Sequence, residues 1–216
     1  MPSLSKHYEH VRNVNSSSET NDCLLRLVPL AIWGSRLASD DDLYEAVRLY
    51  CGITHFHELV LESCYLYCFA IKQLIANGCS ASQAYNRTLE ESDRRSKITG
   101  MSTIKYWIDN DIEINDSDLP IPHYRPISYI KVSILWAFYY LKHDFTFNDA
   151  VKHIISKGGD TQANGAIIGG LIGASRGING IERKHVQTVL TVHNQLPDVE
   201  SGSNPRPREY QPGSVI

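Results

Sequence analysis

A run of small and aliphatic residues between Gly158 and Ala174 constrains this chain more than any other stretch. A Gly-Gly turn delivers one carboxylate, Asp160, to the start of a predicted helix that contains four glycines. Each glycine costs a helix up to ~1 kcal/mol relative to alanine, so four of them need a packing reason. We expect neighbouring backbones to approach this helix closely, and an acid presented at its start indicates a site.

Asp160 has two interpretations that use the same geometry. A carboxylate at a helix start can bind a metal ion or face a polar ligand. It can equally be an ordinary N-cap, a position where aspartate is favoured by ~1 kcal/mol. The spacing alone leaves both interpretations open.

Apolar residues recur with helical spacing along most of the chain, and no segment alternates with the period of a strand. The clearest helix is predicted for residues 57–77, and Pro29 predicts a kink or break in an earlier one. Capping patterns predict helix starts at Ser39, at Ser80 with Gln83, and at Thr146. The sequence therefore predicts an all-α fold, a compact domain of many helices.

The chain divides into three predicted parts. Residues 1–15 form a polar N-terminal segment, and residues 16–196 form the helical domain. We expect a loop over residues 1–20. Within that domain, residues 97–126 carry three prolines and many acids, and we expect an irregular excursion there. Residues 197–216 hold four prolines and are predicted to be disordered.

Composition excludes several functional classes. The net charge of −3 over 216 residues gives no basic footprint for nucleic acid. The start of the chain lacks the apolar core of a signal peptide, and the apolar run at 163–175 is too short and glycine-rich to span a bilayer. Five cysteines without framework spacing predict reduced thiols. We therefore expect a soluble cytoplasmic protein that binds neither nucleic acid nor membrane.

Two further groups of side chains leave alternatives open. His57, Cys64 and Cys68 share a helical face and could bind zinc, although a buried core face with small thiols is the favoured interpretation. The short polar residues from Ser16 to Asn21 stand before a helix. They could cradle an anion such as a phosphate, or they could simply cap the helix.

Three stretches together resemble the ADP-ribosylglycohydrolase family. The first is Gly158-Gly-Asp-Thr161 with the run from Asn164 to Ile181, which is the specific signature. The second is Ser18-Glu-Thr-Asn-Asp-Cys-Leu-Leu-Arg-Leu-Val-Pro-Leu-Ala31, and the third is the pair Thr54-His55 before a long helix. Their order and spacing also match, and the resemblance covers about residues 16–182, the C-terminal two-thirds of the family's pattern.

The resemblance implies a compact all-α fold with a cleft for two Mg²⁺ ions. It also implies hydrolysis of the glycosidic bond between ADP-ribose and a protein side chain, so ADP-ribose or an ADP-ribosylated protein is the expected partner. By the same resemblance, Asp160 is the catalytic and metal-binding carboxylate, with Gln162 in the second metal position. Ser18 and Asn21 line the ADP-ribose cleft, and His55 touches the ribose or phosphates.

Departures from the family pattern favour an alternative function. The usual second loop aspartate is Gln162 and the usual hydroxyl ligand is Ala163, while Thr20 and Asp22 replace two glycines. The family's early glutamate and Thr-Asp-Asp metal cluster are missing, which predicts an N-terminally truncated domain with an apolar patch available for self-association. The alternative is a catalytically inactive ADP-ribose-binding or interaction protein that retains the fold.

Overall fold

The structure, a computed structural model, describes residues 4–113 and 127–192. Within these residues the chain forms α-helices and one isolated antiparallel bridge, between Thr20 and Tyr129, which confirms the predicted all-α class. The helices are α1 (Leu4–Asn15), α2 (Leu27–Gly34), α3 (Asp40–Cys51), α4 (Glu58–Ile75), α5 (Ala81–Thr99), α6 (Thr103–Asp109), α7 (Ile130–Lys142), α8 (Phe147–Ser156), α9 (Thr161–Arg176) and α10 (Arg183–Val192).

The chain separates into one unit that ends at Ile181 and a second that begins at Glu182. Helices α1 to α9 belong to the first unit, and α10 belongs to the second. No helix in the described ranges has the length and apolarity that crossing a membrane requires. The candidate site lies wholly in the first unit.

Helix α4 is the centre of the first unit. Every residue from Leu59 to Leu74 is buried, and the helix packs against α2, α3, α5 and α9. A helix that is enclosed on all sides needs no polar face, so its apolar residues are not confined to one stripe. Its predicted range of 57–77 agrees with the observed one to within two residues at each end.

Charged residues on α4 are buried only in paired form. Glu62 accepts hydrogen bonds from the guanidinium of Arg95 on α5, which also lies over the Tyr44 ring at 3.7 Å. The Lys72 ammonium contacts Asp40 at 2.8 Å and the carbonyl of Leu37 at 2.9 Å. These pairs fix α5 and the start of α3 against the central helix.

The predicted helix starts are confirmed by their capping bonds. The Ser39 hydroxyl accepts from the backbone N–H groups of Asp41 and Asp42, and Ser80 forms a capping box with Gln83. The Thr146 hydroxyl accepts from the N–H of Asp149 at 3.2 Å. Each cap satisfies backbone donors that the first helical turn leaves unpaired.

The expectation that residues 1–20 form a loop is wrong over Leu4–Asn15, which is helix α1. Among the side chains of this helix whose burial the structure describes, Val11 alone is buried, and the half-buried Tyr8 packs its ring edge-on against Phe56. Polar contacts also hold the helix: the Tyr8 hydroxyl donates to the carbonyl of Leu49 at 2.8 Å, and the Asn15 amide donates to that of Thr54 at 2.6 Å.

The expected irregular excursion is also wrong over its first part. Helix α5 continues to Thr99 and ends at Gly100, whose φ of 74° places it in the left-handed region. Helix α6 follows, and its buried residues Ile104, Trp107 and Ile108 keep helical spacing. Residues 114–126 of the excursion, and the C-terminal tail at 197–216, lie outside the described residues.

The break expected at Pro29 occurs just before it. A 3₁₀ turn at Leu24–Arg26 gives way to α2 at Leu27, so Pro29 occupies the first turn of α2. The missing N–H of a proline costs nothing there, because first-turn donors have no partner within the helix.

The glycines of α9 do not admit neighbouring backbones, contrary to expectation. At Gly170 a Cβ atom would lie 2.5 Å from Val28 Cγ2 and 2.7 Å from Tyr67 Oη, so side chains occupy the space. At Gly165 a Cβ would have no neighbour within 4 Å. Close packing therefore explains why position 170 is a glycine, but it does not explain the glycine at position 165.

Exposed apolar side chains occur on α2 and α3, among them Ile32, Trp33 and Leu49. Such surface is compatible with the predicted self-association, which stays a prediction.

Candidate functional site

The polar turn at Glu19–Asn21 is held against the start of α7 by backbone pairing. The N–H of Asn21 donates to the carbonyl of Ser128 at 2.8 Å, and the N–H of Ile130 donates to the carbonyl of Glu19 at 3.0 Å. The Thr20–Tyr129 bridge lies between these bonds. This pairing orients the Thr20 side chain toward the Thr54-His55 turn that precedes α4.

A chain of hydrogen bonds, which we call the Thr–His relay, runs through Arg26, Thr54, His55, Thr20 and Asp22. Arg26 donates to Thr54 Oγ1 at 2.6 Å, and Thr54 Oγ1 lies 2.8 Å from His55 Nδ1. His55 Nε2 lies 2.9 Å from Thr20 Oγ1, which donates to Asp22 Oδ2 at 2.7 Å.

The end groups of the relay fix the tautomer of its histidine. Thr20 has one hydroxyl proton, and the carboxylate of Asp22 can only accept it. Thr20 Oγ1 must therefore accept from His55 Nε2–H, and a neutral imidazole then accepts at Nδ1 from Thr54, whose hydroxyl also lies 3.4 Å from the carbonyl oxygen of Cys51. The imidazole is 3 % exposed, so its orientation is set by these two hydroxyls and not by water.

Ser18 extends the relay toward solvent. Its hydroxyl lies 3.3 Å from Thr20 Oγ1, and its side chain is half-buried. Asp22 at the end of the relay is exposed. A polar ligand that reaches this surface meets one hydroxyl and one carboxylate, with His55 directly behind them.

A second polar chain is fully buried and joins the turn to α9. The Asn21 amide Nδ2 donates to Ser133 Oγ at 2.7 Å, and Ser133 Oγ donates to Asn164 Oδ1 at 2.7 Å. Two atoms of this chain, Asn21 Oδ1 and Asn164 Nδ2, are buried without a hydrogen-bond partner. An acceptor and a donor thus remain for a ligand or a water molecule.

Asp160 begins α9 one turn before Asn164. Its Oδ1 accepts from the N–H of Ala163 at 3.1 Å, which is the N-cap geometry, and its carbonyl accepts from the N–H of Asn164. The side chain is half-buried, and Gly158 and Gly159 before it have φ values of 78° and 73°. Residues other than glycine rarely adopt such angles, so the turn that presents Asp160 depends on glycine.

The donors at the start of α9 do not fit a dedicated site for two Mg²⁺ ions. Gln162 is exposed, and Ala163 offers no side-chain ligand. Within residues 4–113 and 127–192, no group of three His, Cys, Asp or Glu ligand atoms within 4.8 Å includes Asp160. Mg²⁺ takes oxygen ligands at near-ideal octahedral geometry, and one carboxylate with a neutral carboxamide is a weak set.

Three cysteines lie beside the Thr–His relay. Cys23, Cys51 and Cys64 have no exposed surface, and Cys64 Sγ lies 3.6 Å from Cys23 Sγ. Hydrogen bonds from Cys51 and Cys64, with His55 nearby, lower the pKa of the Cys23 thiol, whereas burial raises that of Cys64. The cluster therefore favours a thiolate at Cys23 over the other two positions.

An open cleft of about 660 Å³ lies apart from these groups, between α4, α5 and the segment that joins α2 to α3. It contains basic side chains, but the basic groups of Lys72 and Arg94 are already in contact with carboxylates. Lys72 pairs with Asp40 at 2.8 Å, and Arg94 pairs with Glu91 at 2.7 Å. These partners reduce the attraction of the cleft for an anion.

The structure brings together Ser18 and His55 through Thr20, and it connects Asn21 to α9 through Ser133. Gln162 stands apart as an exposed side chain. The sequence reasoning missed Ser133 and Asn164, although each is a polar residue within an apolar helix. It also paired Cys64 with His57 and Cys68, whereas Cys64 contacts Cys23.

Comparison with known proteins identifies the family of this chain. A sequence model of the family described as ADP-ribosylglycohydrolase matches residues 3–203. The chain therefore belongs to the ADP-ribosylglycohydrolase family, a family of all-α hydrolases. No curated protein and no solved structure matches it significantly.

Proposed function

We propose that this chain recognises the ADP-ribosyl group of a modified cytoplasmic protein at the Thr–His relay. The observation that supports it most strongly is the 2.9 Å contact between Thr20 Oγ1 and His55 Nε2. The two segments in which the family resemblance places substrate contacts thereby meet in one polar site. Family membership supplies the class of ligand.

Each residue of the site would have a distinct role. Ser18, the half-buried hydroxyl, would bind a ribose hydroxyl or a phosphate oxygen. The His55 imidazole, held in one tautomer, would fix the shape of the site from behind. Asn21 is buried and its Nδ2 is committed to Ser133, so its unpaired Oδ1 would accept a hydrogen bond from the ligand only in a conformation that uncovers it.

We expect binding of ADP-ribose without two-metal hydrolysis, because the start of α9 lacks ligands for two metal ions. Gln162 and Ala163 stand where the family pattern has a carboxylate and a hydroxyl, and the remaining Asp160 caps its own helix. The exposed end of the relay presents the Ser18 hydroxyl, and a hydroxyl would bind a ribose hydroxyl or a phosphate oxygen without a metal ion. We therefore expect affinity for ADP-ribose to persist when divalent metal is removed.

The second candidate is Mg²⁺-dependent hydrolysis of the bond from ADP-ribose to the protein side chain. One observation favours it: Asp160 is retained on its glycine turn, and its N-cap bond uses only Oδ1. The other carboxylate oxygen, Oδ2, has no hydrogen bond among the described residues. Asp160→Asn keeps the cap and removes the charge, so it separates a catalytic carboxylate from a structural one.

Calorimetry and a turnover assay distinguish the two candidates. ADP-ribose would be titrated into the chain with EDTA and with millimolar Mg²⁺, and release of ADP-ribose from modified peptides would be followed at high protein concentration. Equal affinity in both buffers without turnover supports recognition alone. Mg²⁺-dependent turnover that Asp160→Asn abolishes supports the hydrolase, and absence of binding in both buffers contradicts both.

A further inference from the structure

The three buried thiols come from three separate elements of the fold. Cys23 precedes the 3₁₀ turn at Leu24–Arg26, Cys51 ends α3, and Cys64 lies in α4. Their Sγ atoms all lie within 4.8 Å of one another, and none has exposed surface. Cysteines this far apart in sequence converge without forming a disulfide, and all five cysteines of the chain are free.

The spacing of the sulfur atoms suits a thiolate metal site. Ligands placed ~2.3 Å from a tetrahedral Zn²⁺ ion lie roughly 3.8 Å apart. The distance of 3.6 Å between the Sγ atoms of Cys23 and Cys64 is close to this value. All three Sγ atoms lie within 4.8 Å of one another, so they would move together only slightly to bind the ion. Soft thiolates select Zn²⁺ and Cu⁺ over the hard cations that oxygen ligands bind.

We propose that Cys23, Cys51 and Cys64 bind one thiophilic d¹⁰ cation, Zn²⁺ or Cu⁺, in the core of the domain. Binding requires all three sulfur atoms as thiolates, so it releases to the solvent each thiol proton that the cluster still holds. The His55 imidazole lies near Cys23, but one of its nitrogens would become the fourth ligand only by giving up its hydrogen bond to Thr20 or Thr54. Zn²⁺ leaves a smaller net negative charge in the buried site than Cu⁺ does, so Zn²⁺ is the expected occupant.

A cation at this position would stabilise the proposed recognition site. Cys23 follows the Glu19–Asn21 turn, and Cys51 precedes the Thr54-His55 turn, so the ion would join both halves of the Thr–His relay to α4. The site is chemically distinct from the oxygen donors at Asp160. It does not depend on whether the chain binds or hydrolyses ADP-ribose.

Metal analysis of the purified full chain tests the proposal. The metal content would be measured by mass spectrometry after reconstitution with Zn²⁺ and, in a separate anaerobic arm, with Cu⁺. We expect one ion per chain in at least one arm, and a large loss of it in Cys23→Ser, Cys51→Ser and Cys64→Ser. The matched control is Cys68→Ser, a buried cysteine one turn from Cys64 on the same helix, which should retain the ion.

X-ray absorption on the unmutated chain keeps the test decisive if a serine variant does not fold. The bound ion should have sulfur neighbours at ~2.3 Å. Failure to bind either ion stoichiometrically, a first shell of oxygen and nitrogen alone, or equal metal content in Cys64→Ser and Cys68→Ser would overturn the proposal.

Discussion

The hydroxyl of Thr20 and the imidazole Nε2 of His55 lie 2.9 Å apart, although 35 positions separate the two residues. The contact joins the polar turn at Glu19–Asn21 to the turn that begins α4. It also completes a chain of hydrogen bonds that starts at the Arg26 guanidinium and ends at the Asp22 carboxylate. Under the proposed function, a ligand bound at Ser18 would depend on residues that it does not touch.

Thr20→Val should weaken ADP-ribose binding about tenfold, which corresponds to ~1.4 kcal/mol. The change keeps the shape of the side chain but leaves His55 Nε2–H buried without an acceptor. Titration calorimetry checks the affinity, with Thr188→Val on the exposed face of α10 as the control. Equal affinity in the variant and the unmutated chain would contradict the role of the relay.

Asp22→Asn should raise the affinity for ADP-ribose several-fold, as measured by the same titration. An exposed carboxylate repels a diphosphate, by roughly 1 kcal/mol for unit charges 4 Å apart in water, whereas the carboxamide of the variant can still accept the Thr20 hydroxyl proton. The gain should shrink as salt is added, because exposed charges are screened. Asp42→Asn, a change on the surface of α3, should alter nothing, and a loss of affinity in Asp22→Asn would show that the carboxylate binds the ligand.

Gly170→Ala and Gly165→Ala should have opposite effects on the free energy of unfolding. The first places a methyl group against Val28 and Tyr67 and should destabilise the fold by ~1 to 3 kcal/mol. The second adds helix propensity in open space and should stabilise it by up to ~1 kcal/mol. Urea denaturation measures both, and equal effects would show that α9 packs differently.

Glu62→Ala should destabilise the first unit by about 3 to 5 kcal/mol, because it leaves the Arg95 guanidinium buried without its carboxylate partner. The exposed pair of Glu45 and Arg48 provides the control, and Glu45→Ala should cost less than ~1 kcal/mol. Denaturant midpoints of the two variants give the comparison. A small effect in Glu62→Ala would mean that the pair is solvated in solution.

The helices that local signals specify could be predicted from the sequence. The Ser39 and Ser80 caps and the apolar periodicity of α4 act within a few residues, so a single stretch of sequence contains them. Helix α1 could not be predicted in this way, because few of its described side chains are buried and the contacts of Tyr8 and Asn15 reach residues far along the chain.

The candidate site was predictable only through the family resemblance. That resemblance named Ser18, Asn21 and His55, but it could not supply the residues that connect them. Ser133 lies 112 positions from its partner Asn21, and no local pattern marks such a contact. The convergence of Cys23 and Cys51 on Cys64 is hidden for the same reason, since helix periodicity relates only residues of one helix.

A crystal structure of the chain with ADP-ribose tests the proposed recognition site most directly. We predict that a ribose hydroxyl or phosphate oxygen lies within hydrogen-bonding distance of Ser18 Oγ, with the Thr20–His55 contact intact behind it. Density for the ligand in the open cleft beside Arg87 and Arg94, with the Thr–His relay untouched, would contradict the proposal.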